Sequence, residues 1–410
     1  MKRYLFIIIF CFAGMTAFTQ AANISFFREY YLREDGTFSD RQKVLEEVRA
    51  AKLTGIGSFY HEALKYLLYR GVDIVTKQDR SIAEQSAVIL CEGLAAEKYS
   101  EAATDLWLTV VFFDIARDNN EGFAMQAALI AIGQVGGKEY VPYVVQRLNN
   151  FNAQTLSDLE TRRRVQRAVT GCVRALELFH NIDGYKSVFF VSVGGYEKSI
   201  QDIAYNALPN MVDDPGEVII AIIRDPSNNP RVKLEAWREM LRTKAPGESK
   251  AKVASVALSM GWNYSTTDVN FQTNLREMRK GAIDIIRQFG ASDDSVFVNL
   301  ERSYTSNFIN SVPDNDEIRF VLTALSVMKT DPAVDLLHKI LRELNDRRRS
   351  GPWARKERQC FEWVVKAIGD TGTKNEAVIK LLMTLQRDNI YTLQERNWVK
   401  DALKSLGFNF

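Results

Sequence analysis

Two apolar stripes separated by a glycine-rich break constrain this chain more than any other feature. Within residues 357–388, Phe361, Val364, Val365 and Ile368 recur at helical spacing. Gly369, Asp370, Thr371 and Gly372 interrupt the pattern, and Val378, Leu381, Leu382 and Leu385 begin a second stripe. The spacing predicts two short amphipathic helices folded back on each other. Neither can bury its stripe alone, so such a unit is stable only when copies of it stack.

The copies are present. Ala131-Ile132-Gly133-Gln134-Val135-Gly136-Gly137-Lys138 returns as Ala367-Ile368-Gly369-Asp370-Thr371-Gly372-Thr373-Lys374, identical at five of eight positions. An arginine followed by apolar residues at +3 and +6 marks a second register at Arg231, Arg279, Arg319, Arg358 and Arg396. Successive arginines stand 48, 40, 39 and 38 residues apart, near the HEAT period of about 40–47 residues. With the segments at 131–144 and 225–237, the chain resembles HEAT-like repeat proteins, in particular the bacterial PBS-lyase HEAT-like kind. The resemblance covers roughly Ser81 to Gly407. It implies an all-α fold, a right-handed α-solenoid (superhelix) of about eight antiparallel helix pairs with the second helices on its concave side. It implies little about activity, because such repeats serve many unrelated tasks. At this period the five arginines are expected to make inter-repeat ion pairs.

The start of the chain suggests export. Lys2 and Arg3 precede an apolar run from Leu5 to Phe18, and Thr19-Gln20-Ala21-Ala22 follows. A basic region, a short apolar core and small residues before the cut describe a secretory signal peptide at 1–21. Fourteen residues rising about 1.5 Å each span roughly 21 Å, short of a hydrocarbon core of about 30 Å. Phe10 before Cys11 does not suit a lipid attachment site. The expected location is therefore the periplasm or the cell envelope. The chain has 53 Lys and Arg against 51 Asp and Glu, and removal of Lys2 and Arg3 leaves a neutral mature protein. A neutral chain offers no overall field for nucleic acid. Cys91, Cys172 and Cys360 each lie in an apolar stripe with no Cys-x-x-Cys spacing, which reads as buried free thiols.

Residues 22–80 read as an N-terminal helical cap followed by a divergent first pair, and 81–410 as the repeat array. Residues 188–195 are rich in β-branched and aromatic side chains, yet the repeat register predicts helix there. Three connections look long, at 149–160, 261–274 and 345–352, and long solenoid loops often carry binding function.

No catalytic pattern emerges. His61, His180 and His338 lack metal-ligand neighbours, and the chain has no nucleophile elbow, P-loop or dinucleotide fingerprint. The glycines at 133–137 read as the turn within a repeat. No cofactor or metal is expected. The expectation is an exported scaffold or adaptor that binds other proteins through the concave face and long loops. The alternative is an enzyme-like role resembling the bilin lyases. A base-repair role like that of some HEAT enzymes conflicts with export and neutrality.

Candidate partner-binding residues are those left over on the second helices: Tyr140, Tyr143 and Arg147, then Arg224, Arg302, Arg342, Lys380 and Arg387. Most are cationic and several are expected at a last helical turn, where a cation is favoured by about 0.3–1 kcal/mol. Stacked, they would form a ladder for carboxylates of an acidic segment, with the tyrosines as anchors. Two further basic clusters, Arg162-Arg163-Arg164 and Arg347-Arg348-Arg349, are expected at equivalent repeat junctions and suggest one basic edge. The export reading has its own check: N-terminal sequencing of the protein from the producing cell returns a chain starting at Ala22 or Asn23, and Met1 or a lipid on Cys11 contradicts it.

Overall fold

A computed structural model describes residues 24–117, 120–154, 158–264, 266–290, 293–309 and 315–408. Among them every regular element is helical and no strand occurs. The chain divides into two compact units, Met1–Asp213 and Asp214–Phe410. The division falls at the Asp213-Asp214-Pro215 break.

The first unit holds α1 (24–31), α2 (Phe38–Ala51), α3 (Gly57–Tyr69), α4 (Lys77–Ala96), α5 (Ala103–Phe112), α6 (Phe123–Val135), α7 (Val141–Asn152), α8 (Leu159–Phe179), α9 (Tyr185–Val193) and α10 (Lys198–Met211). Helices α2, α4, α6, α8 and α10 pack on one another in order and form one layer. In the other layer α3 packs on α5 and α7 on α9. Each second helix also lies against the first helix of the next pair: α3 on α4, α5 on α6, α7 on α8 and α9 on α10. In this unit the second helices thus pack chiefly on the first helix of the next pair and hardly on their own. The ambiguous stretch at 188–193 is helical, with Val188, Phe189 and Val191 buried. Tertiary burial overrides its strand propensity.

The second unit repeats the plan with α11 (Gly216–Arg224), α12 (Pro230–Arg242), α13 (Gly247–Asn263), α14 (Val269–Phe289), α15 (Ser295–Ile309), α16 (Asn315–Met328), α17 (Asp331–Ser350), α18 (Arg355–Thr371), α19 (Glu376–Arg387) and α20 (Leu393–Ser405). First helices α12, α14, α16, α18 and α20 stack in order, and α11, α13, α15 and α17 follow one another in the second layer. Both units are stacks of antiparallel helix pairs. The fold is an all-α solenoid of HEAT-like repeats.

Two glycine roles differ from the sequence expectation. Gly133 and Gly369 are not in the turn but inside α6 and α18. A Cβ on Gly133 would stand 3.1 Å from the Cα of Ala175, and one on Gly369 3.0 Å from the Cα of Ala402. Gly171 approaches the Cα of Gln126 in the same way, at 2.9 Å. These glycines let successive first helices touch backbone to backbone. The turn belongs to Gly136 and Gly372, whose φ of 88° and 66° close α6 and α18 as left-handed caps.

The long connections also shorten. Helix α7 reaches Asn152, α13 reaches Asn263, and α17 runs through Arg347, Arg348 and Arg349 to Ser350. Four residues, 351–354, are left before α18. Arginine is a good helix former and is favoured at a C-terminal turn, so the basic run extends the helix instead of ending it. At the N-terminus, α1 covers only residues 24–31 of the expected cap. Tyr31 is fully buried and meets Phe59 and Tyr66 edge-on at 6.2 Å each, while Phe26 is exposed. Buried Arg41 ties the junction, donating to the carbonyls of Tyr31 (3.1 Å) and Arg33 (2.7 Å).

Charged side chains clasp successive repeats. Arg279 of α14 holds Glu317 of α16 through two hydrogen bonds of 2.8 and 2.9 Å, stacks over Trp262 at 4.0 Å and donates to the Gly261 carbonyl. Arg358 pairs with Glu395 at 3.0 Å, and Arg231 approaches Asp268 at 3.6 Å. Arg319 lies over Trp363, and Arg396 reaches Asn389. In the first unit Glu84 of α4 accepts from the backbone N–H groups of Glu121 and Phe123 and so caps α6, whose own N-cap is Gly122. Cys91, Cys172 and Cys360 are buried and unpaired, and burial pushes the thiols of Cys172 and Cys360 up to about 12.

The clasp sets a stability order. Glu317 is completely buried, so Glu317→Ala strands the Arg279 charge and costs about 3–5 kcal/mol. Arg231→Ala, at an exposed pair, changes stability by less than about 0.5 kcal/mol. Urea unfolding of the three proteins measures both.

Candidate functional site on the second helices

Helix α7 presents three faces. Val141, Val144, Leu148 and Phe151 point into the core. On a second side Asn149 accepts from the Ser187 hydroxyl (2.7 Å), and Asn152 donates to the Ser187 carbonyl and accepts from the Tyr196 hydroxyl (3.0 Å each), which ties α7 to the α9 region. The third side meets α5. There Tyr140 stacks on Trp107 at 5.4 Å, Tyr143 tilts against the same ring at 5.6 Å, and Arg147 lies over it at 5.8 Å. Arg147 also pairs with Asp114 at 2.6 Å, and the other Asp114 oxygen accepts from the Ala116 N–H. Tyr140, Tyr143 and Arg147 are therefore brought together, as expected of neighbours on one helix. Arg147 is engaged with Asp114 and is not available as a carboxylate rung. A cavity of about 270 Å³ opens beside them, lined by Trp107, Asp114, Tyr143 and Arg147 with the amides Gln146, Asn150 and Gln154.

In the second unit the remaining candidates separate into two kinds. Arg302 is in the middle of α15, not at a last turn, because Leu300, Tyr304 and Phe308 continue the buried stripe to Ile309. It donates to the Trp262 carbonyl (2.9 Å) and Asn263 (2.7 Å), closing the C-terminal end of α13. Arg342 and Lys380 are also inside helices, and only Arg224 and Arg387 occupy last turns. Arg224, Arg342, Lys380 and Arg387 are exposed, and their side chains make no ion pair or hydrogen bond among the described residues. Arg342 lines a polar groove of about 960 Å³ along α17 with His338, Lys339 and Arg347 and the carboxylates Asp335, Glu343, Asp346 and Glu357, so the groove is of mixed charge. Burial, and then the charge of Arg342, hold the His338 imidazole below its ordinary range, so it is neutral at pH 7 and adds no charge to that groove.

The two basic clusters do not occupy equivalent places. Arg162, Arg163 and Arg164 open α8, whereas Arg347, Arg348 and Arg349 close α17. Arg164 approaches Glu160 at 3.6 Å, and Arg163 is exposed. Arg347 pairs with Glu343 (3.0 Å) and lies over Phe308, Arg348 donates to the Ile390 carbonyl, and Arg349 pairs with Asp388 at 2.7 Å. The second cluster binds the following repeat.

Trp107, Asp114, Gln146, Asn150 and Gln154 did not stand out in the sequence. Gln146 and Asn150 are one turn apart on α7 and Gln154 lies beyond its end; the approach of Trp107 from α5 needs the fold. Among the described residues no group of three or more His, Cys, Asp or Glu side chains could hold a metal ion, and no helix is long and apolar enough to cross a membrane.

No protein-family model matches the chain, and no curated protein matches it. Among solved structures, importin beta is similar over 91% of this chain at 12% identity and a TM-score of 0.33. The chain spans about half the length of that protein, 53%. A circular tandem repeat protein with novel repeat topology and enhanced subunit contact surfaces is similar over 95% of this chain and 97% of its own, at 13% identity and a TM-score of 0.22.

The geometry separates engaged from unengaged arginines. Arg147→Glu sets a carboxylate against Asp114, and Arg302→Glu opens the end of α13, so each lowers the melting temperature by about 2–4 °C or more. Arg342→Glu leaves it within about 1 °C. Differential scanning calorimetry of the three variants tests the division.

Proposed function

We propose that the protein is an exported, non-enzymatic scaffold of the periplasm or cell envelope that holds a partner protein through an acidic segment. The observation that carries the reading is the set of exposed cations Arg224, Arg342, Lys380 and Arg387 on second helices of the Asp214–Phe410 unit, which pair with no carboxylate among the described residues. Of the other arginines of that unit, Arg279, Arg302, Arg349 and Arg358 reach a neighbouring repeat, whereas Arg242 and Arg287 pair within their own helices. Guanidinium groups recognise carboxylates through paired hydrogen bonds, and a stack of helices offers a long surface on which to repeat them. Arg147 and Arg302, engaged with Asp114 and with the end of α13, fall out of the expected ladder.

The test is capture by the immobilised mature chain from envelope extract, with and without Arg342→Glu, Lys380→Glu and Arg387→Glu combined. Wild type retains a partner that elutes between about 50 and 200 mM salt, where charge-pair interactions weaken. The triple variant loses it while its melting temperature is unchanged. Equal capture by both proteins overturns the acidic-segment reading.

A further inference from the structure

Four polar residues form one stripe along α17. Asp335, His338, Arg342 and Asp346 follow one another at helical spacing, and all four line the groove of about 960 Å³. None of their side chains makes a hydrogen bond or ion pair among the described residues. The other charged groups of the groove are engaged. Lys339 pairs with Glu301 of α15 at 2.6 Å, and Arg347 pairs with Glu343 at 3.0 Å and approaches Glu357 of α18 at 3.7 Å. Glu357 also accepts from the Ala354 N–H. The stripe is therefore what the groove offers a ligand, and His338 is its one member that titrates near neutral pH.

The charges around His338 can be followed element by element. On α17 they are Arg342, one turn later, and Asp335, one turn earlier. Helix α15 brings Glu301, which Lys339 takes up, and Arg302, which is turned to the end of α13. Helix α18 brings Glu357, held as described. Helix α16 also packs on α17 but lines no part of the groove. Its Glu317 is closed on Arg279, and its Arg319 lies over Trp363. With His338 neutral, the groove holds four carboxylates against three cations. A proton on His338 balances them and sets a second cation beside Arg342.

In the free chain that proton is disfavoured by burial and by the Arg342 charge. A carboxylate seated at Arg342 offsets the second effect and attracts the imidazolium directly. Residues four apart on a helix rise about 6.0 Å, so successive acidic side chains can meet both groups. Proton and acidic segment thus favour each other. The complex keeps the proton to a higher pH than the free chain does. Affinity is unaffected where His338 is neutral in both states, and it rises as pH falls through the value at which the complex takes up its proton.

We infer that His338 makes the cationic surface pH-sensitive: its protonation in mildly acidic surroundings adds a cation beside Arg342 and tightens the hold of α17 on an acidic segment. This inference rests on the acidic-segment reading and supplies its regulation.

The probe is a synthetic hexa-aspartate peptide, whose side chains, ordinarily near about 3.9, stay ionised throughout the range used. Calorimetric titration of the full chain at constant salt compares about pH 5.5 with about pH 7.5, on either side of the ordinary histidine range. Wild type binds about fivefold or more tightly at the lower pH, with proton uptake seen as a difference in heat between two buffers. His61 and His180 belong to the other unit, Met1–Asp213, and remain in every variant. His338→Gln loses the dependence, its two affinities agreeing within about twofold, and His338→Lys binds at the higher pH as wild type does at the lower. Both replace a half-buried side chain without a partner, and melting at each pH checks their fold. Equal wild-type affinity at the two pH values, or an undiminished pH dependence in His338→Gln, overturns the inference and leaves the acidic-segment reading standing. Absence of binding by wild type at either pH overturns that reading itself, and the inference with it.

Discussion

The contact on which the rest of the structure depends is the backbone approach between successive first helices. Side chains ordinarily hold packed helices about 8–10 Å apart. Where Gly171 meets Gln126, Gly133 meets Ala175, and Gly369 meets Ala402, the missing or minimal side chain removes that spacer. The larger residues beside these contacts, such as Leu129 and Ile132 on α6 and Val169 and Cys172 on α8, then become fully buried. A helix pair that could not bury its stripe alone does so against its neighbours. This is why a modest amphipathic unit suffices when it is repeated.

Close packing of helices brings their ends and edges together, and the charged residues follow from that. A carboxylate on one first helix, Glu84, reaches the open N–H groups of the next. An arginine on another, Arg279, reaches Glu317 in the interior, and its extra bonds to Gly261 and Trp262 leave little of the guanidinium unsatisfied. Exposed pairs at the same register, such as Arg231 with Asp268, contribute little by comparison. One repeated arginine position therefore holds residues of very different energetic weight. The weight is decided by burial, which repeat spacing alone does not report.

That limit explains what could be read from the residues and what could not. Helix pairing, stacking and the helical state of 188–193 were legible, because they depend on the period of apolar residues. The glycine roles were assigned to the wrong members of 133–137 and 369–372, since a glycine inside a helix and one at its end look alike until the neighbouring backbone is placed. Helix ends at Arg302 and Leu344 were set too early. The stripe through Tyr304 and Phe308, and the helix propensity of the arginine run, were in the sequence but were outweighed by polar residues between them. The engagement of Arg147, Arg302 and Arg349 was not legible, because their partners lie 33 to 40 residues away on other helices.

Once the clasps are assigned, the two surfaces that remain differ in how they can discriminate. The unpaired cations attract any acidic segment over roughly a Debye length, about 8–10 Å at moderate salt, so they favour rapid encounter more than selection. The exposed amides Gln146 and Asn150 of α7 carry no charge and act only at hydrogen-bond distance, where a misaligned or charged group leaves polar groups unpaired. Rejection of that kind is stronger than the attraction a single amide supplies, and it persists at high salt. With 53 Lys and Arg against 51 Asp and Glu, the chain as a whole offers little long-range field. Selectivity in a stack of repeats comes mainly from short-range groups left unpartnered after the repeats have closed on one another; on α7 these include Gln146 and Asn150.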